Sequence, residues 1–205
     1  MPDQPAGNPW PRVYRRGGFT WGTDESGFAR EVAGYLTGGR VLDLGCGEGR
    51  DAVFFAGRGC EVTGVDISRA GIAKARRLAR MKEAEVTWLV ADLATLRPSG
   101  EFDLIYSSGS IHYLPRRVRA HLFARLKSQT KPQGLNAHVV FTSQLIYVEF
   151  GEVIDYFHTG ELRNEYRDWE VLVYKESRIN CRLDGTPHQH GIAKVIARRP
   201  ADTAA

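Results

Sequence analysis

Asp43-Leu44-Gly45-Cys46-Gly47-Glu48-Gly49 places an acidic residue and three alternating glycines in one short segment. It follows the apolar pair Val41-Leu42 and precedes a helical pattern over residues 51–56. A strand, a glycine turn and a helix in this order bring backbone N–H groups and a helix N-terminus up to a ligand. Glycines accept positive φ angles and allow a ligand close to the backbone. The segment therefore predicts a ligand site after the first strand.

The spacing of the glycines bears on which ligand is bound. A dinucleotide fingerprint needs its third glycine at position 50, but Arg50 stands there and the glycine falls one residue earlier. The carboxylate of Asp43 is awkward beside an anionic pyrophosphate. It suits a cation, such as the ammonium or sulfonium of S-adenosylmethionine (SAM), by Coulomb attraction.

Two further acids end predicted strands. Asp66 closes a strand over residues 61–66, and Asp92 closes one over residues 85–92. An acid at the end of the second strand can bind ribose hydroxyls, and an acid after the third can accept from an adenine amino group. Each aspartate alone could equally be a helix N-cap and each glycine a plain turn. Their joint order favours an adenosyl ligand.

The other elements follow from apolar periodicity and breakers. Thr23-Asp24 is predicted to cap a helix that runs to about Leu36, and 131–134 is predicted to turn into a strand over about 135–142. Strands at 170–175 and 190–197 lie too close for a crossover helix, so we expect an antiparallel hairpin. Alternating strands and helices predict an α/β fold with a parallel sheet. The hairpin loop, 177–189, would then reach the ligand-binding edge of the sheet.

Composition limits the classes of protein. The chain has 205 residues, 42% hydrophobic, with a formal net charge of +4 and three cysteines. No apolar run approaches the ~20 residues of a membrane span, and the N-terminus lacks a secretory pattern, so we expect a cytoplasmic protein with reduced thiols. Basic residues concentrate in 69–82 and 116–127. These basic residues form either a solvated helix face or a surface that binds nucleic acid. Aromatic residues are not interleaved with them, as they would be in a platform that binds single strands.

The chain resembles the class I SAM-dependent methyltransferases, most clearly over residues 39–144. The resemblance implies a doubly wound, Rossmann-like sheet of seven strands, six parallel and one antiparallel, with helices on both faces. It implies SAM as cofactor and S-adenosylhomocysteine (SAH) as product. The predicted cofactor contacts are Asp43, Gly45, Cys46, Gly47, Arg50, Asp66, Ile67, Asp92, Leu93 and Ser107. No chemical role is expected for the Cys46 thiol.

Within that superfamily the chain is similar to the tellurite-resistance type, through segments such as 131–134, 160–163 and 197–199. Members methylate small soft nucleophiles and use Arg and His of the last hairpin to hold substrate. Arg182 matches such an arginine, whereas Cys181 stands where a histidine is expected. The resemblance thus leaves chalcogen oxyanions, thiols and other metabolite O, N or S atoms as acceptors, methylated by in-line displacement.

Candidate catalytic residues are His112, Arg182, His188 and His190. His112 follows the fourth strand, on the segment that passes the transferable methyl group in the family; packing is its alternative role. Tyr113 beside it is predicted to line the substrate site. His188 and His190 share one face of a strand and could bind an oxyanion, move a proton or simply lie at the surface. They could also bind a metal, but the sequence shows no third ligand, so no metal is predicted.

An aromatic-rich arm, residues 1–22, contains Tyr14, a predicted substrate contact. The arm could be a lid over the cofactor or a cover for the sheet edge. Residues 23–199 are predicted to form the single methyltransferase domain and 200–205 a flexible tail. The expected function is methyl transfer to a small molecule, without a nucleic-acid or membrane partner. An RNA methyltransferase and a non-catalytic SAM-binding regulator remain the alternatives.

Overall fold

A computed structural model describes residues 9–202 of the chain. Seven strands form one sheet in the order β3-β2-β1-β4-β5-β7-β6. The strands are β1 Arg40–Leu44, β2 Glu61–Asp66, β3 Val86–Val90, β4 Phe102–Ser108, β5 Thr130–Thr142, β6 Glu170–Cys181 and β7 His188–Arg198. The helices are α1 Trp10–Val13, α2 Gly27–Ala33, α3 Arg50–Gly57, α4 Arg69–Met81, α5 Arg116–Ser128 and α6 Glu161–Glu165, with a 3₁₀ turn at Ile111–Tyr113.

The predicted fold class is confirmed. Strands β1 to β5 pair in parallel, and β7 pairs antiparallel with both β5 and β6, so that β7 alone is reversed. The order reverses between β1 and β4, where an open α/β sheet leaves a crevice beyond the carboxyl ends of its strands. Among the residues that the structure describes, no helix combines the length and the apolarity needed to cross a bilayer.

Alternate residues along the strands pack into two different hydrophobic cores, one on each face of the sheet. Val41 and Leu104 pack with apolar side chains of α2 and α3, such as Val32 and Phe55. Residues one position along the strands, including Leu42 and Ile105, pack instead with α5 and α6. Side chains of neighbouring strand residues point to opposite faces, so the sheet is covered on both sides, as predicted.

Three element boundaries differ from the sequence predictions. Helix α2 begins after Ser26, whose hydroxyl accepts from Ala29 N, not after Thr23-Asp24, and it ends at Ala33. The predicted turn at 131–134 is an irregularity inside β5, where the register with β4 shifts between Phe102 and Leu104 and Gln133 has φ +64°. The hairpin strands are longer than predicted because their ladder continues to the Cys181–His188 pair. The connecting turn is therefore 182–187.

Candidate functional site

A cavity of about 580 Å³ opens at the reversal point of the sheet. The ends of β1, β2 and β4 contribute Asp43, Asp66 and Ser108 to its walls, and the segment after β3 contributes Asp92. Topology divides this cavity into two sides. The side over β2 and β3 is the expected position of an adenosyl group, while the side over β4 and β5 is left for an acceptor. Eleven predicted cofactor or substrate residues line the cavity: Tyr14, Asp43, Gly45, Cys46, Gly47, Arg50, Asp66, Ile67, Asp92, Leu93 and Tyr113.

The glycine turn is closed tightly against β2. Gly45 and Gly47 have φ of +71° and +55°, a region that side chains disfavour. Gly45 N and Cys46 N both donate to Val65 O, at 2.7 and 3.0 Å. Gly47 N donates to Asp66 Oδ2 at 2.8 Å. These N–H groups already have partners, so the turn offers a ligand few free donors, in contrast to a phosphate-binding loop.

Carboxylates dominate this part of the cavity. Asp43, Asp51 and Asp66 are 2%, 6% and 7% exposed, and all three line the cavity. Burial, with the nearby charges of Asp51 and Asp66, raises the pKa of Asp43 well above its usual value. Removing carboxylates from water and placing them together is costly unless a cation joins them. The electrostatics therefore favour a positively charged ligand.

Asp66 lies at the carboxyl end of β2. Its Oδ1 accepts from Ser68 N at 2.7 Å, and its Oδ2 from Gly47 N. Burial raises the pKa of Asp66 to about 6, although these two amides oppose the rise. Each carboxylate oxygen has a second lone pair, so Asp66 can still accept from ligand hydroxyls. Asp92, beyond β3, accepts from Ala94 N at 2.9 Å and lines the same side.

Residues of the N-terminal arm cover one flank of the cavity. Trp10, Tyr14 and Trp21 line it, with ring centroids of Trp10 5.6 Å from each of the other two. Arg50 Nη1 donates to Trp21 O at 2.8 Å, and Thr20 N donates to Glu48 Oε2 at 2.6 Å. These bonds anchor the arm to the glycine turn, through Glu48, and to the start of α3, through Arg50. Residues 1–8 of the predicted lid lie outside the described part of the chain, and its movement stays a prediction.

The acceptor side has aromatic and aliphatic walls. Tyr113, Phe141, Val153 and Ile179 line it. The Tyr113 hydroxyl lies 3.4 Å from Glu152 Oε2, and burial raises the pKa of Glu152 to about 7. A carboxyl group that titrates near neutral pH can exchange a proton with the cavity through the phenol.

His112 and Ser107 do not line the cavity. His112 is fully buried, its ring stacks on Phe141 at 4.2 Å, and its Nδ1 accepts from Phe141 N at 3.1 Å. Burial, reinforced by the charge of Arg119, lowers the pKa of His112 far below its usual value. These contacts match the packing alternative. The Ser107 hydroxyl bonds to His138 Nδ1 at 2.8 Å inside the core, whereas the next residue, Ser108, reaches the cavity.

The three hairpin candidates also lie outside the cavity wall. Arg182 is exposed in the turn between β6 and β7. His188 and His190 begin β7 and face each other, with their Nε2 atoms 3.0 Å apart. His190 stacks on Phe141, a residue of the cavity wall, with 4.2 Å between ring centroids, but does not itself line the cavity. The hairpin therefore brings the histidines together but does not direct them at the expected methyl position.

Several acidic residues of the site escape sequence reasoning. Asp51 could have been found from its place in the first turn of the helix after the glycines. Glu149 and Glu152 lie in the irregular connection between β5 and α6, where no periodicity assigns a direction to a side chain. Glu149 and Cys181 lie beside the two histidines, so the fold adds further side chains of metal-ligating type that the sequence did not place there.

Comparison with known proteins agrees with this geometry. Residues 41–134 match the family described as "Methyltransferase domain". The chain is 37% identical over 119 residues to the ubiquinone biosynthesis O-methyltransferase of Alkalilimnicola ehrlichii, covering 57% of this chain and 46% of that protein. It is 26% identical over 174 residues to hemagglutinin 1 of Eikenella corrodens, covering 83% of this chain and 58% of that protein.

A third relative is similar in sequence and in fold. The chain is 27% identical over 141 residues to TehB of Haemophilus influenzae, a probable SAM-dependent methyltransferase, covering 67% of this chain and 48% of that protein. The crystal structure of TehB from that organism superposes with a TM-score of 0.77 at 23% identity, covering 85% of this chain and 62% of that one. The chain thus spans about half the length of the curated relatives it matches. Residues 41–134 therefore carry a methyltransferase domain, and the chain is similar in sequence and in fold to SAM-dependent methyltransferases.

Proposed function

We propose that this chain transfers a methyl group from SAM to a small-molecule acceptor. The observation that carries the proposal is the chemistry of the turn after β1. Its N–H groups bond to Val65 O and Asp66, while buried carboxylates face the cavity. Such a surface repels a pyrophosphate and attracts the cationic donor. SAM is thus favoured over the dinucleotides that bind to related α/β folds.

In this arrangement the donor lies across the end of β1. Asp66 accepts from the ribose hydroxyls, Asp92 lies by the adenine, and Ile67 and Leu93 cover the base. The carboxylate of Asp43 stabilises the positive charge of the donor. These roles are consistent with the position of each side chain in the cavity wall.

The acceptor then occupies the side lined by Tyr113 and Phe141. A cavity of about 580 Å³ in total falls within the range of about 300–1,000 Å³ typical of small-molecule sites. The aromatic and aliphatic walls favour a thiol, a phenol or another largely apolar nucleophile over a chalcogen oxyanion. Arg182, the residue predicted to hold an oxyanion, is exposed in the hairpin turn.

Methyl transfer from a sulfonium needs an aligned nucleophile more than a strong base, and positioning can lower the barrier by as much as about 7–11 kcal/mol. The cavity walls supply that positioning. For an acceptor that carries a proton, Tyr113 can pass the proton to Glu152, whose pKa of about 7 suits a base at neutral pH.

A methylation screen with labelled SAM tests the proposal. The panel contains thiols, phenols, amines, selenite and tellurite, and a mixed RNA sample. We expect turnover with members of the first two classes and none with RNA. Binding of SAM without turnover on any acceptor would favour a regulatory protein, and labelled RNA would overturn the assignment of a small acceptor.

A further inference from the structure

Four side chains with metal-ligating atoms meet outside the cavity wall. They are Glu149 of the segment between β5 and α6, Cys181 at the end of β6, and His188 and His190 at the start of β7. The carboxylate oxygen, the thiol sulfur and two imidazole nitrogens all lie within 4.8 Å of one another. The ladder fixes three of these residues, since Cys181 pairs directly with His188 and His190 follows on the same face of β7.

One carboxylate oxygen lies at the centre of the group. Glu149 Oε1 is 2.9 Å from His188 Nε2, 3.7 Å from His190 Nε2 and 3.1 Å from Cys181 Sγ. The side chains of Glu149, His188 and His190 are 2%, 5% and 1% exposed. Water therefore does little to screen or solvate these groups.

The contacts of His188 direct its Nε2 at the group. Its Nδ1 lies 2.7 Å from Thr186 O, and a carbonyl oxygen can only accept, so Nδ1 carries the proton. This leaves Nε2 as the nitrogen available to a metal, and it faces both the Glu149 carboxylate and His190 Nε2, the latter at 3.0 Å. A carbonyl that fixes the distal nitrogen is the usual support of a metal-binding histidine.

The rings are also held in place. Tyr147 stacks on His188 with centroids 3.6 Å apart, and Phe141 stacks on His190 at 4.2 Å. The Nδ1 of His190 is buried and has no hydrogen-bond partner among residues 9–202, so Nε2 is the nitrogen that this ring directs at the group. Such prior positioning lowers the entropic cost of binding an ion.

We propose that Glu149, Cys181, His188 and His190 bind one Zn²⁺ ion. Zinc prefers four ligands of nitrogen, sulfur and oxygen type in a tetrahedron, with bonds of about 2.0–2.3 Å. Those bonds put neighbouring ligand atoms about 3.3–3.6 Å apart, against 2.9–3.7 Å for the four spacings given above, so small side-chain shifts would bring the atoms to the tetrahedral distances. Binding releases the Cys181 proton to solvent, and the thiolate and the carboxylate balance the two charges of the ion. Imidazole and thiolate disfavour Mg²⁺ and Ca²⁺, which prefer oxygen ligands.

The ion would have a structural role. Four protein ligands complete the tetrahedron and leave no position for substrate. The ligands join the connection between β5 and α6 to the last hairpin, and both segments reach the acceptor side, through Val153 and Ile179 respectively. Zinc would therefore fix the walls of the acceptor side without touching the donor. This inference stands apart from the proposed methyl transfer.

The test measures zinc directly on the full chain without a polyhistidine tag, since a tag itself binds zinc. Protein treated with chelator and then dialysed is titrated with Zn²⁺ by calorimetry, and bound metal is counted by elemental analysis. We expect one ion per chain with a dissociation constant below about 1 µM, and a higher melting temperature with zinc. The Cys181→Ser and His190→Ala variants should bind at least about tenfold more weakly. His121→Ala, which removes an exposed imidazole of α5, is the matched control.

Cobalt provides a second measurement. Co²⁺ in place of Zn²⁺ should show thiolate-to-metal absorption in the unaltered chain and lose it in Cys181→Ser, even if that variant is less stable. Absence of stoichiometric metal in the unaltered chain would overturn the inference, as would equal zinc affinity in Cys181→Ser, His190→Ala and His121→Ala. The readout does not depend on methyl transfer, so failure of the proposed function would leave it intact.

Discussion

Removal of the Asp66 carboxylate should weaken SAM and SAH to the same extent. Asp66 is 7% exposed, and its two oxygens accept from Gly47 N and Ser68 N while facing the cavity. In the proposed complex it also accepts from ribose hydroxyls, which donor and product share. A hydrogen bond to a charged group contributes about 1.5–3 kcal/mol. Asp66→Ala should therefore raise both dissociation constants by about 10- to 150-fold.

The pH dependence gives a second, independent expectation for the same residue. With a pKa of about 6, Asp66 is largely ionised at pH 7 and largely protonated at pH 5. If the ionised form binds ribose, affinity is highest above pH 7 and falls about tenfold between pH 7 and 5, or about 1.4 kcal/mol. The fall should be smaller in Asp66→Ala, since the titrating group is absent.

Calorimetry with SAM and SAH at pH 5, 6 and 7 measures both effects. Asp24→Ala is the matched control, because Asp24 is an exposed carboxylate that does not line the cavity. Circular dichroism checks that each variant is folded. Unchanged affinity in Asp66→Ala would refute the ribose assignment. A loss for SAM alone, with SAH unaffected, would instead mean that Asp66 acts on the sulfonium charge.

Three other perturbations test the turn, the arm and the core. Gly45→Ala should reduce SAM affinity more than tenfold, because the added Cβ would lie 2.2 Å from Ser110 Cβ. Gly59 also has a positive φ but faces open space, so Gly59→Ala should leave the affinity measured by calorimetry unchanged. If the arm covers the cavity, Trp21→Ala should increase the SAH dissociation rate in stopped-flow measurements. Equal dissociation rates in the two proteins would contradict a covering role for the arm. Trp21 is 37% exposed, so the fold should tolerate the change. Burial lowers the pKa of His138 to about 3. The unfolded state therefore binds the extra proton at His138 below pH 6.5. Because the raised pKa of Asp66 acts in the opposite direction, the effect is read against a variant: between pH 6.5 and 4.5, urea unfolding should show the unaltered chain losing about 2 kcal/mol of stability relative to His138→Gln. Parallel pH profiles of the two proteins would reject it.

Local chemistry made the donor side predictable. Short apolar runs in the sequence show where the strands end. The strand ends in turn determine the positions of the glycine turn, of Asp43 and of the acids that end β2 and β3. Parallel strands then bring Asp43, Asp66 and Asp92 to one edge whatever the details of packing. The partners of the turn amides could not be predicted, because Val65 O becomes an acceptor only once β1 and β2 are in register.

The acceptor side could not be predicted in the same way, because part of it lies in a segment whose sequence has no periodic pattern. Glu149, Glu152 and Val153 lie in a connection that has neither a helical nor a strand pattern, so no rule assigns their directions. The histidine pair of the hairpin was placed on one face of a strand correctly, but the strand was longer than predicted. That extension moved His188 from the predicted loop into the ladder, whereas His190 already stood at the start of the predicted strand. A short polar turn, 182–187, took the place of the predicted loop.

The proposed donor site also has a consequence for product release. Asp43, Asp51 and Asp66 are buried together at this site, and repulsion by the charges of Asp51 and Asp66 helps to raise the pKa of Asp43. SAM carries a sulfonium that offsets this repulsion, whereas SAH, after transfer, has a neutral sulfur. Loss of one positive charge among partly desolvated carboxylates removes an attraction that is much stronger than in bulk water. On the proposed assignment we therefore expect weaker binding of SAH than of SAM, so that transfer would favour exchange of product for donor.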